Sequence, residues 1–489
     1  RVRFAPSPTG RLHLGGGRTA LYDFLIARQS GGQFILRLED TDTRRYVPGA
    51  EQEIIDGLHW LGMDWDEGFD IGGPYGPYRQ SQRRDQYALY TRQLIEGGHA
   101  YPCFCTPERL EKMRQEQQKL KQPLRYDGLC RNLDPDEAAR RVAKGEKHVV
   151  RFKMPQEGSI TVDDYLRGEI TVENSNLDDT ILVRTDGLPV YHLASMADDF
   201  DMKITHVVRG SEWLPSYPLH AHVIRALSWP MPEFIHLSLF LKPSGKGKLS
   251  KRDSAELMKD GYSVFLTDLK GLGYVPEAVV NWIALMGWSY DDHTEIFSLP
   301  ELVEKFSIEK LNPAPAAINF TKLDHFNGVH IRSLPVRELA ERVKPFLQEA
   351  GYTVDDELLL RIAPLIQERL GGLDEAPKMA GFFFREQVAP DPKALVGKDL
   401  TAAASAEAAR GALEILERLP VLSHAEAEPL LRDLVEKLGL SAGQLFSILR
   451  VAITGQTVSP PLFESMEIVG AEKVQARLRQ AIVLLESLK

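Results

Sequence analysis

The N-terminal segment of this chain admits few folds. Arg1-Val2-Arg3-Phe4 reads as a strand, with Val2 and Phe4 on one face and the two arginines on the other. Two prolines and a glycine in Ala5-Pro6-Ser7-Pro8-Thr9-Gly10 forbid its continuation. Leu21, Phe24, Leu25 and Arg28 then recur at helical spacing, and Gln33–Glu39 returns as a second extended run. Strand, glycine-rich turn, helix and strand in this order predict the opening of a parallel α/β nucleotide-binding unit.

Where turn meets helix stands His13-Leu14-Gly15-Gly16-Gly17. Glycines there let a phosphate or an adenine ring approach the backbone, the helix N-terminus is expected to supply free N–H groups, and His13 can donate to a phosphate oxygen. Taken alone, the motif equally describes a glycine turn with a half-buried histidine. Far downstream, the tract from Leu241 to Arg252 carries Lys242, Lys246, Lys248, Lys251 and Arg252. A migrating phosphoryl charge must be met by cations aimed at the transition state, and a loop closing over a triphosphate does that, with Lys251 as principal contact. In isolation this loop also reads as a solvated charged surface. Together the two motifs describe a divided grip on a nucleoside triphosphate and point to adenylyl transfer.

The residues around these motifs carry a resemblance. Pro6-Ser7-Pro8-Thr9-Gly10, Arg37-Leu38-Glu39-Asp40-Thr41-Asp42, Tyr75–Arg83, Asp186–Ala194, Val208–Trp213 and Lys248–Arg252 follow in the order found in class I glutamyl-tRNA synthetases of bacterial type, which the chain resembles nearly end to end and most strongly over 1–325. The resemblance implies ATP-dependent ligation of L-glutamate to tRNA(Glu) through a glutamyl-adenylate, with Mg²⁺ accompanying ATP and with tRNA present for activation. It implies His13 and Lys251 as catalytic residues, and Thr9, His13, Gly15, Gly16, Leu241, Lys248, Ser250 and Lys251 around ATP. It places Arg3, Ser7, Glu39, Tyr191, Ser195 and Arg209 around glutamate, with Glu39 on the ammonium and the arginines on carboxylates. Some members of that family carry Asn where this chain has Ser195. Glu212 and Trp213 fall on the adenosine side, and Arg369 matches an arginine that helps read the anticodon. Without the resemblance, Arg3 reads as an exposed strand-end charge and Tyr191 as a core aromatic. Two neighbouring functions stay open at this point: an enzyme that also loads tRNA(Gln), and a non-catalytic tRNA-binding paralogue.

The three cysteines, Cys103, Cys105 and Cys130, are clustered between 103 and 130 and fit a reducing compartment without a disulfide framework. Clustered soft ligands suit tetrahedral Zn²⁺. In some relatives this segment holds zinc with a histidine two positions after the last cysteine or a tyrosine four before it. Here those positions are Asn132, a poor ligand, and Tyr126. The expected set is therefore Cys103, Cys105, Tyr126 and Cys130 in a structural role, against three reduced thiols of a degraded site.

The fold class expected is an α/β Rossmann-type catalytic domain with an inserted α+β domain, followed by an all-α C-terminal anticodon-binding region. The boundaries read as 1–86 (first catalytic half), 87–190 (insertion presenting the tRNA acceptor end), 191–242 (second half), 243–326 (stem-contact domain with the basic loop) and 327–489 (helical region). In the last, Leu339, Val343, Phe346, Leu347 and Ala350 keep helical spacing, and Thr401–Ser405 reads as a helix start. That helical character separates the resemblance from the bacterial glutaminyl enzymes, whose C-terminal region is β-barrel. A length of 489 residues, 43% of them hydrophobic and 26% charged, is that of a multidomain globular chain. A net charge of −10 requires any tRNA contact to come from local basic surface. No run approaches a membrane span and no charged leader precedes an apolar one, so a cytoplasmic monomer is expected. Arg1 stands where an initiator Met would, so the numbering is expected to begin inside a longer native N-terminus.

Overall fold

In the computed structural model, which describes residues 1–419 and 421–488, Val2–Phe4 pairs in parallel with Phe34–Leu36, and that strand with Glu67–Gly68. Parallel neighbours need a crossover, and the helix Leu14–Ser30 supplies it. The helix buries Leu14, Gly17, Arg18 and every residue from Ala20 to Ala27, so it is enclosed on most of its surface rather than along one stripe. Gly31, at φ 62°, ends it in the left-handed conformation that glycine adopts without strain.

A second sheet has the order Gly168–Glu173, Ser159–Asp164, Glu233–Leu237, His206–Gly210. Its last two strands run parallel over five residue pairs, from Glu233 opposite His206 to Leu237 opposite Gly210. The first two form an antiparallel hairpin that joins Glu233–Leu237 through Phe234 opposite Asp164. Sequence pattern alone groups this hairpin with the inserted strands; its backbone pairing ties it to the sheet that carries Arg209. Ile160 and Val162 alternate with exposed neighbours as a one-sided strand should, but alternation does not say which strand is the partner. The Thr205 N–H donates to the Arg1 carbonyl at 2.9 Å, which joins the edges of the first and second sheets.

A third, antiparallel sheet comprises Ala100–Cys103, Val149–Phe152 and Ile181–Val183. One core serves all three sheets, running through Ile35, Leu94, Phe152, Leu182, Val207 and Phe234. After the third sheet the chain reverses at Asp186-Gly187, where the Arg184 N–H donates to Leu188 and the Gly187 N–H to Arg184. It then enters the helix Tyr191–Asp201.

The chain divides into two compact units, one of Arg1–Leu269 with Val279–Phe320, the other of Lys270–Ala278 with the residues from Thr321 onward. The second is helical, as its periodicity requires: Val336–Glu349, Asp356–Gln367, Ala402–Arg418, His424–Leu438, Ala442–Thr454, Leu462–Val469 and Ala471–Ser487. Thr401 caps the helix that its alanine run announces, accepting from the Ala404 N–H, and Ser441 and Gln444 form a capping box. Gly273, at φ 82°, is fixed by space as well as by conformation: a Cβ there would lie 2.3 Å from Asp374 Oδ1.

Candidate active site

His13 is the N-cap of the helix Leu14–Ser30. Its Nδ1 accepts from the N–H groups of Gly15 at 3.0 Å and Gly16 at 3.4 Å. A ring nitrogen that accepts carries no proton, so in the neutral ring the proton sits on Nε2, free to be donated. Burial, then the charge of Lys251, pushes the His13 pKa down to about 4, which keeps the ring neutral. One expectation is corrected here. The helix N-terminus does not offer free N–H groups to phosphate, because His13 takes those of Gly15 and Gly16, and the Leu14 N–H donates to the Val264 carbonyl at 2.8 Å. The glycines leave room for neighbouring side chains instead: a Cβ on Gly15 would stand 2.8 Å from His13 Cε1, one on Gly16 2.9 Å from Leu12 Cδ1, and one on Gly17 3.0 Å from Leu266 Cδ1.

His13 opens onto a cleft of about 520 Å³ whose lining includes Arg3, Ser7, Thr9, Gly15, Gly16, Glu39, Tyr191, Arg209, Glu212, Trp213, Lys248, Ser250 and Lys251. The structure thus gathers most of the residues that the sequence singles out. The basic tract is a reversal between Leu241 and Lys248, which bridge each other, closed by the Lys242 N–H donating to Gly247. Ser250 then starts a short turn, Lys251–Asp253, and its hydroxyl donates to Asp253 at 2.8 Å. Lys242 pairs with Asp253 at 2.7 Å and Lys248 with Glu212 at 3.6 Å. Lys251 makes no ion pair among the described residues; its Nζ lies 3.7 Å from where a Cβ on Gly10 would be, and burial lowers its pKa. An unpaired ammonium at a cleft wall is a ready partner for an anion. Leu241, expected around ATP, is not among the residues lining the cleft; Leu239 and Phe240 are, while Leu241 pairs with Ala317.

At the other end of the cleft Arg3 is buried, not an exposed strand-end charge. Its Nε and NH2 donate to the two oxygens of Asp199 at 2.9 and 3.3 Å, and NH1 to the Val208 carbonyl. Arg37, also buried, donates to Asp199 at 2.7 Å and to Glu39 at 3.2 Å. Burial pushes the Glu39 carboxyl up to about 7 against the opposing pull of Arg37 and Arg3. Ser195 is fully buried and receives a hydrogen bond from Arg37 at 3.3 Å. It is absent from the cleft lining, where contact with glutamate is expected, and it supports Arg37 instead. Tyr191, at the start of its helix, stacks on Trp213 at 4.0 Å and 28°.

Arg209 differs from Arg3 and Arg37, both of which are paired with Asp199. Its Nε donates to His236 at 2.9 Å and its NH1 to His220 at 3.1 Å and to the Tyr191 hydroxyl at 3.5 Å. Its NH2 is buried without a hydrogen-bond partner, and no carboxylate pairs with it among the described residues. A guanidinium NH2 without a partner, on a cleft-lining residue that no protein carboxylate pairs, is a donor available to an anion.

Sequence reasoning missed the charges beneath these residues. Asp198 accepts from Arg83 at 2.7 Å, Gln80 at 2.8 Å and the Tyr87 hydroxyl at 2.9 Å; Asp199 holds Arg3 and Arg37. The signal was available, since two adjacent aspartates close the small, apolar run from Leu193 to Ala197.

Outside the cleft, the sulfurs of Cys103, Cys105 and Cys130 lie within 4.8 Å of one another. The Cys105 and Cys130 sulfurs are 3.6 Å apart, and the Tyr126 hydroxyl stands 3.4 Å from Cys103 and 3.3 Å from Cys105. A tetrahedron with Zn–S bonds of about 2.3 Å has ligand–ligand edges of roughly 3.8 Å, so three sulfurs and this hydroxyl fit the ion. In the helical unit, Arg369 is exposed just beyond the helix Asp356–Gln367. Burial, then the charge of Arg369, lowers the pKa of Arg450.

Comparison with known proteins places this cleft in a family. The profile described as tRNA synthetases class I (E and Q), catalytic domain, matches residues 1–325. The chain belongs to that family. A second profile, the anticodon binding domain, matches residues 338–482 of the helical unit. Among its relatives are proteins named glutamate–tRNA ligase from Dehalococcoides mccartyi strain 195, 44% identical over 100% of this chain and 99% of the relative, and from Roseiflexus sp. strain RS-1, 46% identical over 98% and 96%. The crystal structure of a glutamate tRNA ligase from Elizabethkingia meningosepticum, in complex with its amino acid, superimposes with a TM-score of 0.90 at 40% identity, covering 100% of this chain and 99% of that one. Its fold class is therefore that of the family, an α/β catalytic part followed by an all-helical anticodon-binding domain.

Proposed function

We infer that this protein is a glutamate–tRNA ligase. It activates L-glutamate with ATP and transfers it to tRNA(Glu), and the observation that carries the choice of amino acid is Arg209, a buried guanidinium with a partnerless nitrogen on a residue that lines the cleft holding His13 and Lys251. The α-carboxylate of glutamate attacks the α-phosphorus of ATP, supplied as its magnesium complex; pyrophosphate leaves and a mixed anhydride forms. The 2′-hydroxyl of the tRNA's terminal adenosine then attacks the anhydride carbonyl, AMP leaves, and the hydroxyl proton passes to solvent or phosphate. Neither step needs a protein nucleophile, so catalysis is positioning plus stabilisation of charge.

In this reading Nε2–H of His13 and the ammonium of Lys251 meet the phosphates, while Thr9, Gly15, Gly16, Lys248 and Ser250 shape their seat. Arg209 and Tyr191 take the side-chain carboxylate, Arg3 and Ser7 flank the amino acid, and Glu39 holds its ammonium. Glu212 and Trp213 bound the adenosine side. We assign 1–86 and 191–242 to catalysis, 87–190 to the acceptor end, 243–326 to the stem and 327–489 to the anticodon, with Arg369 among its readers. Cys103, Cys105, Tyr126 and Cys130 would hold a zinc ion that stiffens the segment after Ala100–Cys103 and supplies no chemistry to the reaction. A cytoplasmic monomer accords with this role; among the described residues no helix is long and apolar enough to cross a membrane.

The names of the full-length relatives and the presence of His13, Lys251, Arg3 and Arg209 together favour this enzyme over a non-catalytic paralogue. ATP–pyrophosphate exchange with glutamate, run with and without tRNA, tests it: exchange is expected, and its absence in both conditions refutes the enzyme. Charging of purified tRNA(Glu) and tRNA(Gln) tests selectivity, and efficient loading of tRNA(Gln) refutes a discriminating enzyme.

A further inference from the structure

Arg209 is held by a chain of side chains that the reaction as described does not use. Asp164 Oδ2 meets His236 Nδ1 at 2.7 Å, and His236 Nε2 meets Arg209 Nε at 2.9 Å. On the other side Arg209 NH1 meets His220 Nδ1 at 3.1 Å, and His220 Nε2 meets His192 Nδ1 at 2.9 Å. Asp164, His236, Arg209 and His220 are all buried.

The partners dictate where every proton lies. A guanidinium only donates, so His236 Nε2 and His220 Nδ1 must both be bare acceptors. His236 therefore carries its proton on Nδ1 and donates it to Asp164. His220 carries its proton on Nε2 and donates it to His192 Nδ1, which leaves the His192 proton on Nε2. All three rings are neutral. Burial and the charge of Arg209 agree with this, holding His220 well below the ordinary imidazole range and His192 down to about 4. Burial also lowers His236, although its bond to Asp164 pulls the other way. The aspartate at the end of the chain is itself engaged by Arg167 at 3.0 Å.

We propose that His220 and His236 are positioning residues for amino-acid selection: two neutral acceptors of fixed tautomer that orient the Arg209 guanidinium without supplying a counter-ion, so that its NH2 is reserved for the substrate's side-chain carboxylate. Arg3 and Arg37 show the contrast. Both are steadied by Asp199, and a guanidinium bonded directly to a protein carboxylate has its field answered before a substrate arrives. Imidazole nitrogens give Arg209 the same orientation and leave its charge uncompensated within its hydrogen-bonding shell. A neutral amide side chain gains little from such a site, whereas a carboxylate completes it; selection of glutamate over glutamine follows from the ligands of Arg209 as much as from Arg209 itself.

The inference rests on the assignment of the side-chain carboxylate to Arg209, and the experiment separates the two. Exchange kinetics with glutamate and glutamine, with tRNA present, are measured for the full-length protein and for H220D, H220L, H220N, H236Q and R209Q. H220D inserts a counter-ion and H220L removes the acceptor; each is expected to raise the KM for glutamate by about tenfold or more, to leave kcat within a few-fold, and to shrink the preference for glutamate over glutamine. H220N and H236Q put an amide oxygen where the accepting nitrogen was and are expected to restore KM to within about threefold. Loss of kcat at unchanged KM in H220D and H220L, or equal KM values in H220D and H220N, overturns the inference. If R209Q leaves the glutamate KM unchanged, the assignment of the carboxylate to Arg209 is what fails. Should the His220 variants not fold, ¹⁵N spectra of the histidines in the unaltered protein still decide: a proton on Nε2 of His220 and on Nδ1 of His236 is expected at neutral pH, and either ring charged or in the opposite tautomer overturns the proposal.

Discussion

His13 divides its two ring nitrogens between structure and chemistry, and Lys251 complements it as an ammonium without an ion-pair partner among the described residues. If Lys251 meets charge that grows on the phosphates, K251A slows glutamate activation by about 100-fold or more while tRNA affinity stays nearly constant. Single-turnover activation and filter binding check this, and a large loss of tRNA binding would mean that the loop serves the tRNA instead. Glu39 makes a pH prediction. Its carboxyl, raised to about 7 by burial, must be ionised to hold the substrate ammonium. Above that pH the site is ready; below it the neutral acid predominates, and affinity for glutamate falls by up to about tenfold per pH unit. The KM for glutamate should therefore rise on the acid side of neutrality, while E39Q shows a high KM that does not change with pH. A flat profile in the unaltered protein contradicts this role.

The helix Leu14–Ser30 shows how an element can serve a site through what it leaves out. Alanine at a helical glycine stabilises by about 1 kcal/mol. At Gly15 the added methyl meets the His13 ring at 2.8 Å and displaces it, at the cost of a cap of about 1 kcal/mol. G15A is thus expected to melt within a few degrees of the unaltered protein and yet exchange pyrophosphate about tenfold more slowly; full exchange would show that the cap does not aim Nε2. The cysteine segment makes the complementary prediction. Purified protein should carry stoichiometric zinc, and its removal by a chelator should lower the melting temperature and leave the KM for glutamate unchanged. A metal-free protein that melts at the same temperature contradicts the assignment. At this scale the sequence was legible where the signal is local: the strand–turn–helix–strand opening, the turn at Asp186-Gly187 and the helix start at Thr401. It was silent where partners are distant. Nothing in Ser159–Asp164 says that Phe234 lies opposite Asp164, and nothing near Gly15 says that its N–H is already taken.

Across the whole molecule, the residues legible in sequence are those that line the cleft, and the illegible ones are those that hold them. Arg3, Tyr191 and Arg209 could be named from motifs; Asp198, Asp199, His220 and His236 are buried beneath them, and which arginine each one holds is set only by the fold. Ser195 and Leu241 mark the limit of transfer by motif, since neither is among the residues that line the cleft. The helical unit was legible as helices because periodicity is a local property, whereas the grouping of Lys270–Ala278 with it depends on contacts such as the Val275 N–H to Asn327 at 2.8 Å and the Leu373 N–H to Gly273 at 2.9 Å. The central claim is that one cleft joins a carboxylate-selective pocket to an adenylylating site. Its most direct test is pyrophosphate exchange by the full-length protein with ATP and tRNA(Glu), comparing glutamate, glutamine and aspartate. The account predicts exchange with glutamate alone, lost in R209Q and in K251A; exchange that proceeds equally with glutamine, or none with any of the three, would contradict it.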